Sequence, residues 1–175
     1  MHAVPDYRIA PAGILMADQP PATSNGLLAP GLPLEEFLPY LLNRITNRMN
    51  TDLRAQIRAI GLSVPQWRVL AVLHSGHGNR IGDLSKHTVI EQSTLSRVID
   101  QMERDGLVMR RPLENDNRVI EVHLTDRGRQ TYAEVLPIAL AHYRRAIGGM
   151  SRQQRAALTQ LLRTVMGNVE DRFPF

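Results

Sequence analysis

Ser93, Thr94, Ser96 and Arg97 have the types and spacing to hydrogen-bond the edges of base pairs. Small hydroxyl side chains let a backbone approach a groove closely, and an arginine reaches O6 and N7 of guanine with two parallel hydrogen bonds. On a helix the spacing puts Ser93, Arg97, Asp100 and Arg104 on one face, with Thr94 and Ser96 on its flanks. Leu95, Val98, Ile99 and Met102 fall at i, i+3, i+4 and i+7 and form the opposite, apolar stripe. An ordinary amphipathic surface helix would look the same, so the next element of the chain decides between the two readings.

That element carries a second group of cations. Arg110, Arg111 and Arg118 lie on a predicted β-hairpin, with Asn115 and Asn117 near its tip. A hairpin beside a groove-reading helix lies over the neighbouring minor groove, where the negative potential of narrow tracts favours arginine. Asp116 would repel phosphate unless it is paired. The Asp116-Asn117-Arg118 spacing puts acid and base on the same side of an extended strand, where an ion pair can brace the wing.

The elements that must hold these residues are legible in the periodicity. Residues 1–33 form a Pro-rich leader, with Pro5, Pro11, Pro20, Pro21, Pro30 and Pro33, whose composition reads as a loose tail without helix. The pattern changes at Leu34, and Leu38, Leu41, Leu42, Ile45, Met49, Leu53, Ile57 and Ile60 recur at three- and four-residue steps, predicting one long helix ended by Gly61. Ser63 caps a second helix with Pro65 in its first turn, and Gly76 and Gly78 stop it. A short helix spans about 83–87, and another runs from Gln92 to Arg104, its N-terminal part (Gln92, Ser93, Thr94, Ser96, Arg97) facing the groove. Strands at 107–111 and 118–124 make the hairpin, joined through the turn formers of 112–117. Thr125 caps a long helix to about Ile147, and Ser151 caps a last one with Ala157, Leu158, Leu161, Leu162, Val165 and Met166 on one stripe.

The fold class is therefore mainly α with a small β-hairpin (α+β): a winged helix-turn-helix lobe over 62–124, and a helical dimerisation domain over 34–61 and 125–173. The long terminal helices carry apolar stripes that one small lobe cannot cover. A twofold dimer would bury them and match a pseudo-palindromic site.

Composition narrows the class without choosing the function. Apolar residues make up 43% of 175 residues, enough for a globular core. The absence of cysteine removes disulfides and thiolate chemistry. No apolar run is long enough for a membrane span, and the N-terminus lacks a basic start, so we expect a cytoplasmic protein with no membrane partner. Net charge is +4, which permits nucleic-acid binding without demonstrating it. Between Arg80 and Gln130 nine basic residues meet nine acidic ones, so the case rests on which face carries the arginines.

In this order and spacing the chain resembles the MarR family of bacterial regulators over about residues 34–173. The carriers are Leu62-Ser63-Val64-Pro65-Gln66-Trp67, Ile81-Gly82-Asp83-Leu84-Ser85, the run Ser93 to Val108, the wing motif Asp116-Asn117-Arg118, and Leu124-Thr125-Asp126-Arg127-Gly128. The resemblance implies a homodimer in which the first and last two helices interlock and two winged lobes meet double-stranded DNA. It implies a bracing role for Asp116, a DNA contact for Arg118, and a regulator, more often a repressor, released by a small aromatic or anionic effector. The family's effector pocket lies where dimerisation helices meet the DNA lobe, here implying Tyr40, Arg44, Arg48, Trp67 and His74. Arg44 and Arg48 are i, i+4 and suit a carboxylate or phosphate, so an aromatic acid or its coenzyme A thioester is the expected ligand. The long leader departs from the family pattern.

Two other classes are weaker. A helical interaction protein could share the architecture, and steep salt dependence of promoter binding would separate it. An enzyme is a distant third, because no nucleophile elbow, phosphate loop or zinc-hydrolase motif is present. His74 and His77 lack the further ligands a metal needs, so no metal or cofactor is expected.

Overall fold

The computed structural model describes residues 27–29, 31–113 and 116–170. Most of the Pro-rich leader, and the groove contact expected of Asn115, lie outside the described residues. The chain divides into two units, residues 1–42 and 43–175.

In the first unit β1 (Leu27–Ala29) pairs antiparallel with β2 (Leu32–Pro33). A 3-10 turn at Leu34–Glu36 precedes α1 (Leu38–Ile57). The helix begins at Leu38, the first residue of its apolar stripe, while Leu34–Glu36 make the separate 3-10 turn. Pro39 sits in the first turn, where the N–H that proline lacks would have no partner in the helix.

The second unit contains the core. α2 (Val64–Ser75) opens with a reciprocal capping box: the Gln66 N–H donates to Ser63 Oγ (3.4 Å), and the Ser63 N–H donates to Gln66 Oε1 (2.9 Å). α3 (Ile81–Thr88) and α4 (Gln92–Arg104) come next, then β3 (Val108–Leu113) and β4 (Asp116–Leu124), then α5 (Asp126–Ala146) and α6 (Arg152–Glu170). Ile57 from α1 meets Val69, Leu70 and Leu73 of α2, Leu84 of α3, and Leu95, Ile99 and Met102 of α4. Val108, Val122 and Val135 close the cluster from the hairpin and α5. Each such side chain contributes about 1.5–3 kcal/mol on burial, so the lobe that carries α4 holds its own core. α6 is the contrast, since every described side chain on it is exposed except Val165 and Gly167.

The hairpin is longer than its alternation predicts. Register runs from Val108↔Leu124 to Pro112↔Ile120, then shifts so that Leu113 faces Asp116. The backbone at 79–80 joins its outer edge: the Val122 N–H donates to the Asn79 carbonyl (2.8 Å), and Arg80 bridges to Glu121. The far end of the hairpin is held to α5. Thr125 Oγ1 donates to the Gly106 carbonyl (2.6 Å) and accepts from the Gly128 N–H (3.0 Å). At Gly128 a Cβ would lie 2.0 Å from the Leu107 carbonyl oxygen, so only glycine allows this approach. Among the described residues no helix is long and apolar enough to cross a membrane.

Candidate nucleic-acid interface

α4 is amphipathic in the sense its sequence predicts. Leu95, Ile99 and Met102 are fully buried and Val98 is half-buried, while Gln92, Ser93, Thr94 and Arg97 are exposed. Ser96 is half-buried, its hydroxyl donating to the Gln92 carbonyl (3.0 Å). The helix N-terminus is capped by Glu91, a role its sequence does not suggest, because short side chains are the usual caps. The Glu91 carboxylate accepts from the Ser93 hydroxyl and from the N–H groups of Ser93 (3.1 Å) and Thr94 (3.2 Å). The Ser93 hydroxyl, the two N–H groups and then the Arg97 charge hold the Glu91 carboxyl below the usual carboxylate range. The turn between α3 and α4 is made by Val89, a β-branched residue with a left-handed backbone (φ 54°) and an exposed side chain.

On the hairpin, Arg111 and Arg118 are exposed. The Arg118 side chain is 96% accessible, with Nε 3.6 Å from Asp116 Oδ1, which also accepts the Arg118 N–H at 3.0 Å. Asn117 lies in β4, and its side chain is outside the described residues. Arg110 departs from its expected place among the groove-facing cations. It sits opposite the buried Val122 in the β3–β4 register, and therefore on the inner face of the pleat. There its guanidinium donates to Glu103 Oε2 (2.6 Å) and Asp100 Oδ1 (2.7 Å), and its N–H donates to Glu103 Oε1 (3.0 Å). Burial opposes its charge, but the two carboxylates outweigh burial and raise its pKa above that of an ordinary arginine.

The candidate effector residues are only partly brought together. Trp67 stacks on Tyr132 of α5 (centroids 5.4 Å apart, 12° between planes), and His74 stacks on the same ring at 3.9 Å. Sequence reasoning misses Tyr132, because nothing in its local pattern marks a partner so far away in the chain. Arg44 and Arg48 are one turn apart on α1, and Arg48 Nε lies 3.6 Å from Asp52 Oδ1. Tyr40 belongs to the first unit and the other four to the second. His74 also borders an open recess with Asn79, His123 and Arg129.

Comparison with known proteins agrees with this architecture. Residues 62–120 match the model of the MarR family. The chain is 30% identical over 136 residues to the HTH-type transcriptional repressor IacR of Pseudomonas putida, covering 78% of this chain and 81% of the relative. It is 32% identical over 142 residues to the transcriptional activatory protein BadR of Rhodopseudomonas palustris, covering 78% and 80%. Among solved structures, a MarR family transcriptional regulator from Silicibacter pomeroyi superposes with a TM-score of 0.74 at 38% identity, over 81% of this chain and 95% of that one. Bordetella bronchiseptica BpsR, described with regulation of its DNA binding by 6-hydroxynicotinic acid, superposes with a TM-score of 0.67 at 28% identity, over 75% and 94%.

Proposed function

The chain belongs to the MarR family of transcriptional regulators, and on that premise we propose that it is a homodimeric repressor of a pseudo-palindromic operator, released by a small aromatic acid. The observation that carries the DNA-binding part is the exposed face of α4, with Gln92, Ser93, Thr94 and Arg97 beside a hairpin that exposes Arg111 and Arg118. In this reading Arg97 takes the base contact, Ser93, Thr94 and Ser96 allow close approach, and Arg111 and Arg118 reach the backbone or minor groove, with Asn115 and Asn117 at the tip. Asp116 braces Arg118. Dimerisation rests on the apolar side chains left exposed on the terminal helices, among them Ile45, Leu140, Tyr143, Leu158, Leu161 and Met166. Two lobes on a twofold axis would meet half-sites about one helical turn apart.

Repression is inferred from likeness to IacR, while BadR is named as an activator, so the sign of regulation belongs to the test. The effector class is supported by BpsR's response to an aromatic acid and by the Arg44–Arg48 pair, one turn apart on α1, which suits an anionic group. The coenzyme A thioester of such an acid is the variant form. An effector shifts DNA binding only by its differential affinity for two lobe arrangements, and a tenfold loss needs about 1.4 kcal/mol.

The test is titration of the chain against a duplex from upstream of its own gene and against a scrambled duplex, across salt. We expect tight, salt-steep binding to the first and weaker binding to the second. Equal affinity for both would defeat the operator reading. A panel of aromatic acids and their thioesters, monitored by quenching of Trp67, should yield a ligand that releases the promoter duplex. Potency unchanged in Arg44→Ala and Arg48→Ala would move the pocket elsewhere.

A further inference from the structure

We infer that Arg110 is a positioning residue that fixes the wing to the recognition helix, with Asp100 and Glu103 as its two anchors, rather than a cation that touches DNA. The inference rests on the reading of α4 and the hairpin as a DNA interface.

Three observations support it. First, both terminal nitrogens of the guanidinium are engaged by carboxylates. Nη1 donates to Glu103, Nη2 donates to Asp100, and the second oxygen of Glu103 takes the main-chain N–H of the same residue. Glu103 therefore holds β3 by side chain and backbone together, and a planar guanidinium gripped this way has little freedom to turn toward a phosphate. Second, the anchors are one helical turn apart on α4, on the flank between its buried stripe and its exposed face. Third, the pleat separates the two neighbouring arginines: Arg110 pairs in register with buried Val122, whereas Arg111 pairs with Glu121 on the other face. Adjacent residues of one type thus have opposite tasks.

The arrangement has an electrostatic oddity that makes it testable. Two carboxylates on a helix that approaches DNA should weaken binding by repulsion, and one arginine offsets only one of them. If charge alone mattered, neutralising the acids would strengthen binding to any duplex. If the anchors hold the wing in register with α4, neutralising them loosens the wing and weakens binding to the operator alone.

The experiment compares the parent with Asp100→Asn/Glu103→Gln, Arg110→Ala and Arg110→Lys. Each is titrated against the promoter duplex and a scrambled duplex of equal length across salt, with thermal unfolding to show that each is folded. We expect the acid-neutral pair to lose operator affinity on the order of tenfold while its affinity for the scrambled duplex holds or rises. Arg110→Ala should lose operator affinity similarly with little change on the scrambled duplex, and should be non-additive with Arg118→Ala, because a loosened wing already misplaces Arg118. Arg110→Lys keeps the charge but not the fork, and should resemble the alanine variant. The inference is overturned if the acid-neutral pair binds the operator as tightly as the parent or tighter. It is also overturned if Arg110→Ala weakens both duplexes equally and lowers the salt slope by about one phosphate contact. A parent with no preference for its promoter would overturn the DNA reading itself, and the positioning role with it.

Discussion

Arg97 stands apart from the other cations of the interface because it has the exposed middle of α4. Arg97→Ala should leave thermal unfolding unchanged and cost about 1–3 kcal/mol of operator affinity per half-site. Equal operator affinity in parent and variant would remove α4 from recognition. Glu91 has a consequence in pH. Its folded pKa is depressed, so its stabilisation is present above the ordinary glutamate value and is lost as pH falls through the lower folded value. The stability advantage of the parent over Glu91→Gln should therefore shrink below about pH 4.3. Denaturant unfolding at several pH values checks this, and a constant advantage would mean the cap is not ionic. At Val89 a left-handed backbone costs a non-glycine residue about 1–2 kcal/mol, while glycine's extra unfolded-state freedom returns about 0.5–1. Val89→Gly should thus be neutral to stabilising by about 1 kcal/mol, and a clear loss in urea unfolding would show that the exposed valine has a packing role. The exposed residues of α4 are legible in the sequence because helical spacing alone sorts its faces. Glu91, Tyr132 and the inward turn of Arg110 are not, since each depends on a partner that spacing does not specify.

Among elements, those with both a cap and a stop are legible nearly to the residue. α2 lies between Ser63 and Gly76, and α4 runs over the residues its stripe predicts. The hairpin outruns its sequence signal, because Pro112 and Leu113 break the alternation while still pairing, and the addition at Asn79 and Arg80 is too brief to show any period. α1 starts at the first residue of its apolar stripe, Leu38, with Pro39 in its first turn. The junction between hairpin and α5 is the least forgiving of these elements. Gly128→Ala drives a methyl group into the backbone of Leu107, which cannot move without displacing β3. We expect a loss of about 3 kcal/mol or more, at the upper end of overpacking effects, measured by urea unfolding. A loss well under 1 kcal/mol would mean that α5 shifts easily off the hairpin. Because the same junction seats the wing, a variant that still folds should also bind its operator less tightly.

At the scale of the molecule, α6 is an amphipathic helix with a firm start and, among the described residues, an exposed apolar stripe. Ser151 and Gln154 cap it reciprocally, with the Ser151 N–H donating at 2.8 Å and the Gln154 N–H at 3.2 Å. Its apolar side chains at Leu158, Leu161, Leu162 and Met166 stay exposed. Ending the chain after Met150 should turn the proposed dimer into monomer or aggregate, since the stripe it leaves behind becomes an exposed patch. Sedimentation showing a soluble, stable dimer of that shortened chain would count against the assignment. The apolar stripe itself is plain in the sequence, but what covers it is not, because periodicity reports that a face is buried without naming its partner. If α6 finds its contacts on another copy, as proposed, regulation is tied to gene dosage. Below the dimer's dissociation constant, the DNA-competent species grows with the square of chain concentration. Halving expression would then cut that species about fourfold, so the regulated genes would respond to small changes in the regulator's own synthesis as well as to any effector.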